Sequence, residues 1–127
     1  MSTSGQVKAL IALVEQGKFL EAIESFYAPD ATMQENLGPV RVGLPALLEN
    51  ERQVLARVPD IHLERVRSFI VDGDRAAINW VFAYTDAHGR KIRLDEIAYQ
   101  LWQDGKIVKE RFYYDPGQRT NPVGPEI

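Results

Sequence analysis

Two glutamates carry the chemistry this sequence could do. Along 106–114, Val108, Glu110, Phe112 and Tyr114 fall on one face of an alternating pattern, and Lys109, Arg111 and Tyr113 on the other. The second face is the wetter one, which leaves Glu110 as the lone acid in an apolar row. The shorter stretch 31–36 repeats the arrangement. Ala31, Met33 and Glu35 share a face, against Thr32, Gln34 and Asn36. A carboxylate facing a core is costly unless it is paired, hydrogen-bonded or protonated, and burial raises its pKa toward neutrality. A carboxyl titrating near pH 7 is what general acid or base catalysis needs. The same two residues also fit a plainer role, at a wet rim or in structural ion pairs with Arg41, Arg93 or Arg111.

The elements that must hold these residues follow from periodicity. Val7, Leu10, Ile11 and Val14 define one helix face, with Ser2, Thr3 or Ser4 as cap and Gly17 as stop. Phe19, Ile23 and Phe26 share the stripe of a second helix that ends before Pro29. A third starts near Gly43-Leu44-Pro45, carries Leu47, Leu48, Glu51, Leu55 and Val58, and closes at Pro59. From Asp60 the period becomes two. Residues 61–71, 75–85, 90–103 and 106–114 read as long strands, with turns at Asp72-Gly73-Asp74, Ala87-His88-Gly89 and Asp104-Gly105. Short connections make these strands an antiparallel meander. Helices segregated from strands predict an α+β fold, with helices on the concave side of a strongly curved sheet around a conical space. Ile78, Trp80, Phe82 and Tyr84 make one apolar row, and the opposite face, with Val81 and Ala83, is apolar too. A sheet apolar on both faces is usually covered on both, so a homodimer through the sheet is expected.

Composition removes other classes. The chain has 127 residues, one domain's worth, with 45% hydrophobic and 26% charged residues. No apolar run approaches the ~20 residues of a membrane helix, and the N-terminus leads straight into a helical pattern rather than a secretory leader. The expectation is a cytoplasmic protein that meets no membrane. Cysteine is absent, which removes disulfides and thiolate metal sites. Fifteen basic residues against 18 acidic ones give a net charge of −3, with no basic patch for nucleic acid. His62 and His88 are far apart and suggest no metal cage; the serines lack a nucleophile elbow, and the glycines form no phosphate loop. No metal or cofactor is expected.

Phe26-Tyr27-Ala28-Pro29-Asp30-Ala31-Thr32 resembles a corner of the nuclear transport factor 2-like superfamily. Val58-Pro59-Asp60, Gly73-Asp74, Asp104-Gly105-Lys106-Ile107-Val108 and Tyr113-Tyr114-Asp115-Pro116 resemble its SnoaL-like polyketide cyclase branch. The resemblance spans about residues 5–116 and implies a cystatin-like cone, a single SnoaL-like domain over 1–116 and an extended or disordered tail over 117–127. The branch includes ketosteroid isomerases, polyketide cyclases and epoxide hydrolases, most of them homodimers through the sheet. Asp30-Ala31-Thr32-Met33-Gln34-Glu35 fits the isomerase base motif and implies that Glu35 is the base. The isomerase's tyrosine and protonated aspartate align with Leu10 and Ile97 here. The last-strand acid of the cyclases and epoxide hydrolases aligns with Phe112, one strand repeat past Glu110.

These readings lead to a cofactor-independent isomerase, cyclase or lyase acting on a small, largely apolar carbonyl compound. Glu35 would abstract a proton and Glu110 serve as acid or electrostatic partner. Trp80, Phe82, Ile97, Tyr99, Phe112 and Tyr114 would line the pocket, with Tyr114 or Tyr27 donating to a developing oxyanion. The rival is a non-catalytic ligand-binding or dimerisation module of the same fold. The two readings part on whether Glu35 and Glu110 point into one cavity.

Overall fold

The computed structural model describes residues 2–119. Three helices, α1 (Thr3–Glu15), α2 (Phe19–Phe26) and α3 (Leu44–Arg57), pack on a six-stranded sheet. Its strands are β1 (Tyr27–Glu35), β2 (Arg41–Val42), β3 (His62–Asp72), β4 (Arg75–Thr85), β5 (Lys91–Gln103) and β6 (Lys106–Tyr113). A 3-10 turn follows at Pro116–Arg119. Ser2 caps α1, its Oγ accepting from the Gly5 N–H at 3.0 Å. Gly17 takes the left-handed conformation, φ 76°, that lets α1 bend directly into α2. Asp104 and Gly105, φ 52° and 75°, make the tight β5–β6 turn, both central residues left-handed as the twist of the flanking strands requires.

The meander β3–β4–β5–β6 is antiparallel throughout, as the alternation predicts. The sheet as a whole is mixed. Its order is β2-β1-β6-β5-β4-β3, and β1 pairs with β6 in parallel. The antiparallel meander expected from sequence is thus one part of a sheet that also holds one parallel pair. β2, α3 and the strands β3 to β5 stand between β1 and β6 in the chain, and that long crossover returns β6 alongside β1 in the same direction. The two-residue β2, which sequence alternation is too short to reveal, zips onto β1 through Thr32 and Met33.

One core lies between the helices and the concave face. Val7, Leu10, Ile11 and Val14 of α1, Ile23 and Phe26 of α2 and Leu47 of α3 meet Ile78, Trp80, Ala98, Trp102 and Ile107 of the sheet. The stretch 117–119 is folded back rather than extended, while the expectation for 120–127 lies outside the described residues. β6 ends where β5 continues. At Asp95 the side-chain amide of Gln118 takes the place of a strand, donating to the Asp95 carbonyl at 3.0 Å and accepting from its N–H at 2.9 Å.

Candidate active site in the cone

The inward-facing residues stand in rows across the sheet. Met33, Glu110, Gln100 and Ala76 form the first row, and Glu35, Phe112, Ala98 and Ile78 the second. Glu96 and Trp80 follow, then Leu94 and Phe82. Rows are two residues apart, about 7 Å. A cavity of about 170 Å³ lies over them, closed by Leu10, Val14, Phe19 and Ile23 from the first two helices and by Glu51 and Val54 from α3. Glu35, Glu51, Glu96 and Glu110 all line it, together with Arg41 and Arg119.

Glu110 is 4% exposed and belongs to a buried hydrogen-bond chain. Trp102 Nε1 donates to Gln100 Oε1 at 3.0 Å, and Gln100 Nε2 donates to Glu110 Oε2 at 2.6 Å. The Tyr27 hydroxyl donates to the other oxygen, Oε1. Burial pushes the Glu110 carboxyl up to about 7, against the opposing pull of those two donors. Burial and the neighbouring Glu110 raise the Tyr27 phenol well above its ordinary value.

Glu96 differs. It is 8% exposed, and its carboxyl makes no hydrogen bond or ion pair among the described residues. Burial first, then the charges of Glu35 and Glu110, push it up to about 8, so it is mostly protonated at pH 7. Glu51 is raised in the same sense by burial and by Glu35, opposed by Arg41.

Glu35 sits at the cavity mouth, about one-third exposed. Arg41 Nη2 donates to its Oε2 at 3.1 Å, and the Tyr114 hydroxyl donates to its Oε1 at 2.9 Å. Arg119 Nη2 lies 3.6 Å from Oε1 and donates to the Tyr114 oxygen at 3.0 Å. The ion pair with Arg41 expected as a plainer role is present, and Glu35 nevertheless lines the cavity.

Glu35 and Glu110 are thus brought to one cavity, with Tyr27, Trp80, Phe82 and Phe112 around it. Tyr114 reaches the mouth through Glu35. Ile97 and Tyr99 are not brought there. Both point to the other side of β5, 45% and 44% exposed, and their expected place in the pocket is corrected. The aligned position held Ile97, but the strand's inward set is Ile92, Leu94, Glu96, Ala98, Gln100 and Trp102. Alternation counted back from Trp102 would have found Glu96. The apolar outer residues Ile97 and Tyr99 masked it. Glu51 lies on the helical stripe with Leu47 and Val54, where it reads as one charge on a long helix. Arg119 carried no signal, because only the turn after Tyr114 brings it back. Among the described residues no cluster of His, Asp and Glu has the arrangement to hold a metal ion.

The SnoaL-like domain family matches residues 7–110, most of the chain. The protein belongs to that family. A candidate SnoaL-like polyketide cyclase from Mesorhizobium loti is 29% identical, with a TM-score of 0.76 over 90% of this chain and 100% of that one. A protein with a cystatin-like fold from Xanthomonas campestris gives 0.82 at 19% identity, covering 94% and 95%. A candidate polyketide cyclase from Streptomyces antibioticus gives 0.75 at 21% identity, covering 93% and 98%. No curated protein matches in sequence. No helix among the described residues is long and apolar enough to cross a membrane. The SnoaL-like cone, expected from sequence, is therefore this chain's fold.

Proposed function

We propose that this SnoaL-like protein is a cofactor-independent isomerase, cyclase or lyase that moves a proton on a small, largely apolar carbonyl compound. The observation that carries the reading is Glu96, a buried carboxyl facing the cavity with no hydrogen-bond partner among the described residues. An acid that holds its proton at pH 7 and has no acceptor among the described residues is a donor awaiting one. A substrate carbonyl oxygen supplies one. Glu110, titrating near 7, takes the proton alpha to that carbonyl. Glu96 protonates the oxygen as the enol forms; Glu110 then returns its proton to carbon while the enol O–H gives its proton back to Glu96, which restores both carboxyls and completes the cycle. Glu35, expected as the base, stands at the solvent-facing mouth in an ion pair with Arg41, whereas Glu110 lies buried against the cavity, so Glu110 takes that role here. Tyr27, Trp80, Phe82 and Phe112 hold the substrate. The two candidate cyclases among the structural relatives agree with chemistry of this class. The exposed apolar residues Ile70, Ile97, Tyr99 and Tyr113 on the outer face of the sheet support a homodimer through that face.

The test is proton–deuterium exchange alpha to the carbonyl, followed by NMR in D2O over a panel of cyclic and aryl ketones. Exchange above the buffer rate is expected, falling at least ~100-fold in Glu96→Gln and in Glu110→Gln. Exchange at the buffer rate for every ketone, with binding retained, would favour the non-catalytic module instead.

A further inference from the structure

The size of the cavity and the charges at its mouth together select a ligand. About 170 Å³ is close to the ~150 Å³ of a cavity that encloses a single benzene ring. A ligand larger than one ring therefore leaves part of itself at the mouth. Two guanidiniums wait there, Arg41 and Arg119, with side chains 32% and 46% exposed. They share one ion-paired carboxylate, Glu35, so the mouth carries one more fixed cation than anion at those three residues.

Each guanidinium has five donors. Arg41 makes one hydrogen bond, from Nη2 to Glu35, and Arg119 makes one, from Nη2 to the Tyr114 hydroxyl. The remaining donors of both find no protein acceptor among the described residues. The two side chains are not placed by chance. Arg41 is held in β2, hydrogen-bonded onto β1 opposite Met33. Arg119 is brought to the mouth by the turn that Gln118 fastens to Asp95, and its guanidinium lies 5.3 Å from the centroid of the Tyr114 ring. Both cations thus sit over the outer end of a cavity whose walls, Trp80, Phe82, Leu94 and Phe112 among them, are apolar.

We infer that the site takes amphiphilic monoanions: a ring enclosed against Trp80 and Phe82, and a carboxylate held at the mouth by Arg41 and Arg119. This rests on the cavity being the binding site of the proposed function and adds the charge and orientation of the ligand. The bound carboxylate accepts hydrogen bonds from the unused guanidinium donors. It also fixes which end of the molecule reaches the inner acids.

The probes are 3-phenylpropanoate and its uncharged analogue 3-phenylpropanamide, titrated calorimetrically against the full-length protein. The acid should bind about tenfold tighter than the amide. Arg41→Gln and Arg119→Gln should each cut that preference, and the double variant should abolish it while amide affinity stays at the wild-type level. Retained amide binding also reports an intact cavity. If the double variant does not fold, salt decides: raising ionic strength should weaken the acid in the wild type and leave the amide unchanged. Equal affinity for the two probes, a preference that survives both substitutions, a salt-insensitive preference or binding of neither probe would overturn the inference. Repeating the titration with the Glu96→Gln/Glu110→Gln double variant separates the two readings. That protein should lose exchange and keep the acid preference, so a failed exchange experiment leaves this inference standing, and the reverse holds too.

Discussion

Gln100 and Glu110 face each other across β5 and β6 as direct register partners, and the amide of the first donates to the carboxyl of the second at 2.6 Å in the buried floor of the cone. Gln100 is fully buried. Gln100→Leu removes a donor to Glu110 and the acceptor of Trp102 in one step, and should cost on the order of 2–4 kcal/mol in urea denaturation. Tyr27→Phe removes the other donor to Glu110 and should cost about 1–3 kcal/mol. Both donors hold the Glu110 pKa down against burial, so each variant should move its titration upward. The side-chain carboxyl carbon followed by NMR reads that shift. A downward shift in either variant would contradict the assignment of Gln100 and Tyr27 as donors.

Stability should fall as pH rises from about 4.5 to 8. Most proteins lose stability at low pH because their carboxylates are paired; Glu96 acts in the opposite sense. Its folded-state pKa, about 8, lies above the ordinary 4.5, so the folded chain binds that proton more tightly than the unfolded chain. The contribution is complete below the ordinary value and lost as pH passes through the folded one. Glu96→Gln should therefore raise stability at pH 8.5, by an amount on the order of 4 kcal/mol, and flatten the slope between pH 5 and 8. Urea titrations at three pH values test it, and a variant with an unchanged slope would count against a buried, protonated Glu96.

Glu35 should behave as a surface ion pair. It and Arg41 are each about one-third exposed. Solvent screens such a pair, and Glu35→Gln should change stability by less than ~1 kcal/mol. Thermal melts compared with those of Gln100→Leu would show whether the rim and the floor of the cone differ in this way.

The outer face of the sheet should mediate self-association. Ile97 pairs across strands with Tyr113, and Tyr99 sits one step along β5 from that row, beside Ala77 and close to Ile70 of β3. Light scattering should find the wild type as a dimer, and Ile97→Asp or Tyr99→Asp as a folded monomer. A dimer that survives both substitutions would move the interface elsewhere.

The sequence made the α+β architecture, the meander and the inward aim of Glu110 readable, because a sustained period-two pattern has few other solutions. Two kinds of information stayed hidden. The partner of β1 is a strand some 80 residues later, and nothing local in 27–35 announces a parallel neighbour. Glu96 was hidden by its setting. With apolar side chains on both faces of β5, alternation identifies a strand without saying which face is inside, and Ile97 looked like the buried residue. The role of Arg119 depends on a turn whose fastening, the Gln118 amide at Asp95, is a tertiary hydrogen bond.

The β1–β6 pairing also sets the order in which the molecule can be made. While the ribosome is still short of Lys106, the helices and the β3–β5 meander can form, but β1 has only the two-residue β2 to join and the long edge of β5 is bare. An uncovered strand edge beside an apolar face is where nascent chains capture one another. A chain ending before β6 should accordingly be recovered as aggregate rather than as a smaller cone. Tyr27 waits 83 residues for Glu110, so the floor of the pocket closes only near the end of synthesis.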